Sequence, residues 1–412
     1  SSKRPRILIG KDTRKSGDML EAALTAGLCS MGAKVIPLGV VPTPAVAYLT
    51  RYYKADAGVV ISASHNPCEY NGIKFFNSDG YKLSDGIENE IESYILGEKA
   101  IEELPTHGKV GYVSANHNAV EDYVAFAVST IDCRLDGMKI AVDCANGASY
   151  ETAFKALNKL GANVEAIHNT PDGVNINHMC GSTHMESLQA YVTSIGADIG
   201  IAFDGDADRM LAVDENGKLI DGDQIMAACA KFMRDNGTLK QNTLVATVMS
   251  NLGLFMAGEK IGINILRTKV GDRYVLEEML AKGYNIGGEQ SGHIIFLDHN
   301  TTGDGLVSAL QFLSVLKKTG MKASEAASIV TVMPQVLRNA VVKLENKNSY
   351  MENEEIAAAC KALEDEFAGE GRVLIRPSGT EPLVRVMIEG KDEEYITKKA
   401  EELAELIEKI LG

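Results

Sequence analysis

The strongest constraint on the fold is a unit that occurs three times along the chain. Each copy has a short β-branched run, a turn, small and apolar residues at helical spacing, and a second β-branched run. The copies read "RILIGKDTRKSGDMLEAALTAGLCSMGAKVIPLG", "KIAVDCANGASYETAFKALNKLGANVEAIH" and, more loosely, "TLVATVMSNLGLFMAGEKIGINILRTKVG". This is the pattern of a βαβ unit, and such units build parallel sheets that are covered by helices.

A further strand follows each copy, and a polar loop follows each of these strands. The strands are "ADAGVVIS", "ADIGIAFD" and "GYNIGGEQ", and the loops are "ASHNP", "GDADR" and "SGH". In open α/β sheets, ligands bind beyond the carboxyl ends of the strands. The three loops are therefore predicted to carry the chemistry of three related domains.

The region after about residue 334 departs from this pattern. It contains "RVLIRP", a turn, "LVRVMIEG" and a charged helix, "DEEYITKKAEELAELIEKIL". We therefore predict an α/β fold: three related α/β domains with mixed, largely parallel sheets, plus a smaller C-terminal α+β domain, around one central cleft. The expected boundaries are 1–117, 118–220, 221–334 and 335–412.

Composition excludes several classes of protein. The net charge of −15 argues against a nucleic-acid partner. No apolar run approaches the roughly 20 residues that a membrane-spanning helix needs. The seven scattered cysteines contain no C-x-x-C pair, which favours a reduced, cytoplasmic protein without a disulfide framework or thiolate zinc site. The start, "SSKRPRILIG", lacks Met and runs into a strand, so we expect the natural N-terminal segment to be missing. The sequence leaves monomer and homodimer open.

The loop "FDGDADRM" places Asp204, Asp206 and Asp208 at alternate positions. Carboxylates that converge on one point repel one another, and a bound cation removes this repulsion. Oxygen ligands favour Mg²⁺ or Ca²⁺. An EF-hand is excluded because Arg209 stands where the sharp turn needs glycine and a strand, not a helix, precedes the loop. A solvated acidic turn is the alternative.

The loop "ISASHNP" holds two serines, Ser62 and Ser64, followed by His65. Neighbouring side chains of an extended chain point apart, so Ser64 and His65 do not form a hydrolase dyad. There is also no G-x-S-x-G elbow here. A phosphoserine beside Mg²⁺ explains this loop and the acidic loop together, because the cation would offset the charge of phosphoryl transfer. An ordinary polar turn remains the alternative.

Two further loops have the composition of ligand sites. "RPSGTEPLVR" offers backbone N–H groups and hydroxyls in a tight turn between two arginines, which suits a phosphate. The alternative is a surface hairpin. "GGEQSGH" combines glycines, which permit close approach, with Glu289 and Ser291, which can bind sugar hydroxyls. His293 alone is more often structural than catalytic.

In this order and at these separations, "ISASHNP", "DGDADR", "GEQSGH" and "RPSGTEPLVR" resemble the four signatures of the α-D-phosphohexomutase superfamily. The resemblance covers essentially the whole chain. Within the superfamily, "GEQSGH", "TVMSNLGL" and "VGDRYV" are most similar to the bacterial phosphoglucosamine mutase family. This implies an isomerase that interconverts glucosamine 6-phosphate and glucosamine 1-phosphate through a sugar 1,6-bisphosphate, on the route to UDP-N-acetylglucosamine.

The resemblance also implies roles for residues that match the family motifs. Ser64 would be the phosphorylated residue, and its phosphoryl oxygen would join Asp204, Asp206 and Asp208 in binding Mg²⁺. Arg209 would contact the reacting phosphate, and His65, Lys74 and His293 would assist phosphate contact or proton transfer, as would Arg14 in "KDTR". The residues expected to bind substrate are Glu289, Ser291, His293, Arg376, Ser378, Gly379, Thr380 and Arg385.

The chain departs from the family pattern in two places. The first strand and a Gly-Thr-Asp-Gly-Val-Arg-Gly-like segment, which contributes an active-site arginine, are absent, so the chain as given is at risk of being inactive or unstable. Ala207 replaces the usual glycine of the metal loop; alanine restricts φ, but we expect Mg²⁺ binding to survive. The rival functions are a phosphomannomutase or phosphoglucomutase, a metal-dependent phosphatase, and a non-catalytic sugar-phosphate sensor.

Overall fold

The structure, a computed structural model, describes residues 4–101, 103–378 and 381–412. The described chain divides into two compact units. The first unit comprises the residues up to Met249 together with Ile261–Ile329, and the second comprises Ser250–Lys260 together with the residues from Val330 onward. Two of the residues expected to bind phosphate, Gly379 and Thr380, lie outside the described residues.

The first sheet of the first unit carries the serine loop. Its elements are β1 (Arg6–Lys11), α1 (Ser16–Ser30), β2 (Lys34–Val40), α2 (Thr43–Tyr52), β3 (Ala57–Ile61), β4 (Ile73–Asn77), α3 (Asp85–Ile95) and β5 (Tyr112–Val113). The strand order is β4-β3-β1-β2-β5. All neighbours are parallel except β4, which pairs antiparallel with β3. The loop that joins β3 to this antiparallel edge strand is the one that holds Ser64.

The second sheet repeats this arrangement and carries the acidic loop. Its elements are α4 (Ala119–Ser129), β6 (Lys139–Asp143), α5 (Ser149–Lys159), β7 (Asn163–Ile167), α6 (Glu186–Ile195), β8 (Ile199–Phe203), β9 (Met210–Asp214) and β10 (Leu219–Ile220). The order is β10-β9-β8-β6-β7, with β9 antiparallel to β8. Every residue of β8 is buried, as expected of a strand that helices cover on both faces.

The third sheet follows the same plan with four strands in the order β12-β11-β13-β14. The elements of this region are α7 (Gly222–Asp235), β11 (Thr243–Thr247), α8 (Leu252–Ile261), β12 (Asn264–Thr268), α9 (Asp272–Lys282), β13 (Ile286–Gly288), β14 (Ile294–Phe296), α10 (Gly305–Thr319) and α11 (Ala323–Ala327). Again the edge strand that follows the functional loop, β14, is antiparallel to its neighbour. The first unit is thus built from three related sheets.

The second unit contains a separate, smaller antiparallel sheet in the order β15-β17-β16. Its elements are β15 (Gln335–Val341), α12 (Glu354–Phe367), β16 (Arg372–Pro377), β17 (Leu383–Glu389) and α13 (Glu393–Leu411). Its core joins the strands to the apolar faces of α12 and α13. Three mixed, largely parallel sheets and a smaller C-terminal sheet confirm the predicted fold class.

The segment Ser250–Lys260, which contains most of α8, packs with the second unit. The backbone N–H of Leu252 donates to the fully buried carboxylate of Glu389 at 3.4 Å. Arg372 donates to the same carboxylate and to the carbonyl of Ser250. The second unit is therefore assembled from two separate stretches of chain. Among the described residues, no helix combines the length and the apolar character required to cross a membrane.

Candidate active site

The serine loop holds Ser64 in an uncommon backbone conformation. Ser64 has φ +53°, in the left-handed region that non-glycine residues rarely occupy. Its N–H donates to Ser62 Oγ at 3.0 Å, and its Oγ donates to Asp204 Oδ2 at 2.7 Å. The Ser64 side chain thus points at the acidic loop, 140 residues further along the chain.

The acidic loop turns between β8 and β9 and brings its three carboxylates together. Asp204, Asp206 and Asp208 are 1%, 0% and 8% exposed, and one oxygen of each lies within 4.8 Å of the others. Ala207 between them has φ +56°. The predicted convergence of the three aspartates is therefore present, and the alanine occupies the strained conformation that a glycine would adopt freely.

The donor set fits a divalent cation. Asp206 Oδ1 and Asp208 Oδ1 are buried and have no hydrogen-bond partner among the described residues, which is costly unless an ion binds them. Burial, together with the Asp208 and Asp206 charges, raises the pKa of Asp204 well above its ordinary value. Three oxygen ligands that leave positions open suit Mg²⁺ with a phosphate oxygen as a further ligand.

Two cations flank this acidic cluster. Lys74 on β4 places Nζ 2.7 Å from Asp206 Oδ2 and 3.8 Å from Asp208 Oδ2. Burial alone would lower the pKa of Lys74, but these carboxylates raise it above its ordinary value, so Lys74 stays charged. Arg209 closes the acidic loop. Its backbone N–H donates to Asp204 Oδ1 at 3.2 Å, and its side-chain Nη1 lies 3.3 Å from His65 Nδ1. His65 Nδ1 lies 3.5 Å from Ser64 Oγ.

His293 is a buried member of the same cluster. It is 3% exposed, and its Nδ1 lies 3.6 Å from Asp208 Oδ2. The Gly303 N–H donates to Nε2 at 3.2 Å, which assigns the proton of the neutral ring to Nδ1. Burial lowers the pKa of His293, but Asp208 and Asp272 outweigh burial and raise it. His293 thus lies buried against Asp208, and its part in substrate binding or proton transfer stays a prediction.

The loop that contains Glu289 and Ser291 is tied to the acidic loop by backbone contacts. The N–H of Met210 donates to the carbonyl of Gly292 at 3.0 Å, and Gly292 has φ +90°. Glu289 Oε1 accepts from the Gly271 N–H at 3.1 Å, and Ser291 Oγ donates to Glu289 Oε2 at 3.4 Å. Ser291 is exposed and Glu289 half-buried, so both side chains are accessible beside the acidic loop.

The second unit holds the other predicted ligand residues on β16, β17 and the turn between them. Arg376 and Arg385 lie directly opposite each other across the two strands. Burial and the Arg385 charge both lower the pKa of Arg376. Like charges directly opposite each other are unfavourable, and a bound anion would neutralise them. Buried Ser378 lies at the turn, where its Oγ accepts from the Glu381 N–H at 3.3 Å.

The structure brings most of the predicted residues of the first unit together and adds others. Thr43 was not predicted: it donates its hydroxyl to Asp206 Oδ2 at 2.6 Å and its N–H to the Asp206 carbonyl at 2.9 Å. In the second unit, Glu381, whose carboxylate lies 3.3 Å from Arg385, was also missed.

Arg14 of the first unit lies beneath the serine loop and donates to the carbonyls of Ser64 and Asn66. The one sequence signal for Thr43 was its place as the third residue of "VPTP", where α2 begins.

Comparisons with known families match nearly the whole chain. Four models of the phosphoglucomutase/phosphomannomutase family match in order: alpha/beta/alpha domain I at residues 1–102, domain II at 120–217, domain III at 221–333 and the C-terminal domain at 340–406.

Close relatives in sequence share one name. The phosphoglucosamine mutase of Ruminiclostridium cellulolyticum is 63% identical over 404 residues, which are 98% of this chain and 90% of the relative. The phosphoglucosamine mutase of Acetivibrio thermocellus is 62% identical over 408 residues, 99% and 91% of the two chains.

Solved structures share the fold at lower identity. A phosphoglucomutase/phosphomannomutase family protein of Burkholderia thailandensis superposes with a TM-score of 0.80 at 23% identity, covering 98% of this chain and 89% of that one. The N-acetylphosphoglucosamine mutase of Aspergillus fumigatus, solved with GlcNAc-6P and magnesium, superposes with a TM-score of 0.66 at 18% identity, covering 90% and 93%. The sequence matches and the site geometry lead to the same conclusion: the chain belongs to the phosphoglucomutase/phosphomannomutase family and, within it, to the phosphoglucosamine mutases, which are isomerases.

Proposed function

We propose that this chain interconverts glucosamine 6-phosphate and glucosamine 1-phosphate through phospho-Ser64. One observation carries the proposal: Ser64 Oγ lies 2.7 Å from Asp204 Oδ2, at the edge of a buried acidic cluster flanked by Lys74 and Arg209. A serine that points at three carboxylates is poorly placed to attack an acyl group, because the carboxylates would repel a developing oxyanion. It is well placed to carry a phosphoryl group whose charge is neutralised by a cation and two basic side chains.

The reaction has two phosphoryl transfers with a common intermediate. In the first, the bond from phosphorus to Ser64 Oγ breaks as a bond to the sugar O1 forms. The O1 hydroxyl loses its proton and Oγ gains one, and His65, with Nδ1 3.5 Å from Oγ, is placed to exchange that proton. The product is glucosamine 1,6-bisphosphate. After this molecule reorients, the bond from phosphorus to the sugar O6 breaks as a bond to Ser64 Oγ forms. Oγ loses its proton, O6 gains one, and glucosamine 1-phosphate remains.

Asp204, Asp206, Asp208 and an oxygen of phospho-Ser64 would hold Mg²⁺. When bound, the cation withdraws charge from the transferring phosphoryl group. The protein's own residues hold this site ready: Thr43 and Lys74 both bind Asp206 Oδ2, at 2.6 and 2.7 Å, and His293 lies against Asp208. Arg209 would contact the reacting phosphate.

The remaining predicted residues would bind the sugar and the second phosphate. Glu289 and Ser291 are accessible acceptors and donors beside the acidic loop, which supports a role in reading the sugar hydroxyls. Arg376, Ser378 and Arg385, together with Gly379 and Thr380, would hold the phosphate that is not reacting. The opposed arginines support this, since a bound phosphate would offset a repulsion that Glu381 offsets at Arg385 alone. The partners are therefore hexosamine phosphates; a cytoplasmic location and the choice between monomer and homodimer stay predictions.

Substrate competition and mass spectrometry test the proposal. Turnover should be greatest with glucosamine 6-phosphate and far lower with glucose and mannose 6-phosphates, should stop in EDTA, and should return with Mg²⁺. Intact mass should fall by one phosphate after phosphatase treatment, and peptide mapping should place that phosphate on Ser64. Ser64→Ala should abolish turnover, whereas Ser78→Ala, in an exposed turn of the same sheet, should not.

Each rival function predicts a different result. Preference for glucose or mannose phosphate would make the chain a phosphoglucomutase or phosphomannomutase. Release of inorganic phosphate in proportion to turnover would make it a phosphatase. Binding without turnover in the wild-type protein would leave only a sensor.

A further inference from the structure

Two donors from different sheets bind the same two backbone carbonyls of the serine loop. Arg14 Nη2 donates to Ser64 O at 3.1 Å and to Asn66 O at 2.5 Å. Asn177 Nδ2 donates to the same oxygens at 2.9 and 3.0 Å. Arg14 follows β1 of the first sheet, and Asn177 lies in the loop between β7 and α6 of the second. Both side chains are at least nine-tenths buried.

The contacts bind the carbonyl of the strained residue itself and the carbonyl two residues further on. Ser64 has φ +53°, and this conformation persists only where the surroundings hold it. The amide of Asn177 has two protons, and the two carbonyls accept both of them. Its Oδ1 has no hydrogen-bond partner among the described residues, so the contact to the serine loop is what occupies this side chain.

The loop that carries Asn177 is held in place by several hydrogen bonds. The Asn177 N–H donates to the carbonyl of Ala145 at 2.9 Å. The fully buried carboxylate of Asp143 accepts from the N–H groups of Ala145 and Gly181 at 2.8 and 3.0 Å, and from His168 Nδ1 at 2.9 Å. Both oxygens of Asp143 are thus engaged in holding the loop around Asn177.

The same contact fixes the distance between the serine loop and the acidic loop. A Cβ added at Gly205, between Asp204 and Asp206, would lie 2.6 Å from Asn177 Nδ2 and 2.6 Å from Ser64 O. The acidic loop therefore packs directly against the place where Asn177 grips the serine loop. A shift of Asn177 would move Ser64 Oγ relative to Asp204.

We propose that Asn177 is a positioning residue that, with Arg14, clamps the Ser64 loop in its left-handed conformation and sets Ser64 Oγ against the acidic cluster. The role in turnover rests on the proposed function, in which Ser64 carries the phosphoryl group. Asn177 acts on the reaction through the backbone of Ser64. Its loss should therefore lower kcat for both directions and leave KM nearly unchanged.

Two substitutions of Asn177 distinguish a role in positioning Ser64 from a general loss of protein stability. Asn177→Asp keeps the size and tolerates the left-handed backbone of Asn177 (φ +58°), but it turns a donor into an acceptor that faces two carbonyls. Asn177→Gly adopts the same backbone without strain and removes the side chain together with its donor. The matched control is Asn242→Asp: Asn242 has φ +51° and donates Nδ2 to the carbonyl of Gly262 at 2.5 Å, but it is exposed and lies outside the site.

The measurements are kcat, KM for each glucosamine phosphate, amide hydrogen exchange of residues 62–66, and thermal unfolding. We expect both Asn177 variants to lose roughly 10- to 100-fold in kcat, since a small misplacement of reacting groups costs about this much. Exchange at residues 62–66 should accelerate, and Asn242→Asp should match the wild type in both readouts. If Asn177→Asp fails to fold, Asn177→Gly decides.

Three outcomes would overturn the clamp: wild-type kcat in Asn177→Gly, unchanged exchange at residues 62–66, or a rise in KM that accounts for the whole loss of kcat/KM. A failure of the proposed function looks different, because the wild-type protein itself would then lack phosphate on Ser64 or turnover. In that case the exchange data still decide whether Asn177 holds the loop.

Discussion

At the residue scale, the methyl group of Ala207 adds backbone strain to the acidic loop and leaves its three aspartates in place. The residue is fully buried at φ +56° between two aspartates. A left-handed alanine costs roughly 1–2 kcal/mol, and glycine would avoid this at an entropic cost of roughly 0.5–1 kcal/mol. A glycine at position 207 would adopt the same backbone without the strain of the alanine methyl group.

Ala207→Gly should raise the free energy of unfolding by up to about 1 kcal/mol and leave Mg²⁺ affinity unchanged. Chemical denaturation and calorimetric Mg²⁺ titration would measure both. The control is Ala202→Gly on β8 of the same sheet, also fully buried. It has no strain to relieve and should lose about 1 kcal/mol or more. Similar losses in the two variants would show that φ at Ala207 carries no strain.

Single residues of this site were predictable where the chain changes from a buried strand to a polar loop. Ser64, Asp204 and Glu289 each follow such a strand, so their types and positions were visible in the sequence. Thr43 and Asn177 were not, because their partners lie 163 and 113 residues away in the chain. Only the packing of one sheet against another brings these pairs into contact.

At the scale of elements, the carboxyl ends of β6 and β7 are joined by a charged hydrogen bond. Asp143 ends β6, and His168 follows β7 with φ +46°. The hydrogen bond to Asp143 raises the pKa of His168 above its ordinary value, although burial opposes this. The stability from this pair is therefore fully present below the ordinary histidine pKa, and it is lost as the pH rises through the raised one.

His168→Asn should cost roughly 1 kcal/mol of unfolding free energy at about pH 6 and less at about pH 9. Asparagine tolerates the left-handed backbone, so the substitution tests the charge rather than the turn. Denaturation at both pH values would measure the difference, and His117→Asn, at an exposed loop position, corrects for the general effect of pH. A loss that is equal at both pH values would contradict the ion pair.

The β16–β17 hairpin places Arg376 opposite Arg385. The repulsion between the two charges opposes folding, whereas the same charges favour the binding of a phosphate. Arg385→Ala should raise KM in both reaction directions by about 10- to 100-fold, because a charge-assisted contact of roughly 1.5–3 kcal/mol is lost. It should change the unfolding free energy little, since the repulsion from Arg376 and the partly exposed ion pair with Glu381 are lost together. Steady-state kinetics and denaturation test this.

Arg338→Ala on β15 of the same sheet is the control, because Arg338 pairs with Glu401 instead. It should leave KM unchanged. A destabilised Arg385→Ala with normal KM would mean that the hairpin arginines serve the fold alone. The order of strand, turn and strand was visible in the sequence, but nothing in it revealed that Glu381 reaches Arg385.

At the scale of the whole molecule, one buried polar cluster joins the three sheets of the first unit. Tyr123 of α4 donates to Asp304 Oδ1 at 2.7 Å. Asn300 donates to Asp304 Oδ2 at 2.9 Å and accepts from Arg51 of α2 at 2.8 Å. The Gly305 N–H then binds the carbonyl of Ala207 at 3.0 Å. The segment 300–305 thus connects the junction of the sheets with the acidic loop.

Tyr123→Phe should cost roughly 1 kcal/mol of unfolding free energy, because the buried Asp304 Oδ1 loses one of its two donors and keeps only the Val307 N–H. It should also lower kcat, since the segment that supports Ala207 loosens. Tyr48→Phe is the control: Tyr48 stacks on Phe126, and its hydroxyl makes no hydrogen bond among the described residues. Equal stability of the two variants would show that the cluster does not hold the sheets together.

The fold was predictable at this scale because the repeated βαβ pattern is local in sequence and each copy specifies its own sheet. The polar cluster was not, because its members come from three different domains and lie outside the repeated units. Repeats reveal the modules of a molecule, whereas the contacts that join the modules are specific to each junction.

The second unit is assembled from two stretches of chain. This limits where the coding sequence can be cut to produce the unit as a separate fragment. A fragment that starts near residue 330 would lack Leu252 and Ser250, and Glu389 and Arg372 would lose the backbone partners they have in the intact chain. Exchange of this module between family members would therefore have to include Ser250–Lys260 as well. The family model for the C-terminal domain matches one continuous stretch of sequence. The folded unit, in contrast, needs two separate stretches of the chain.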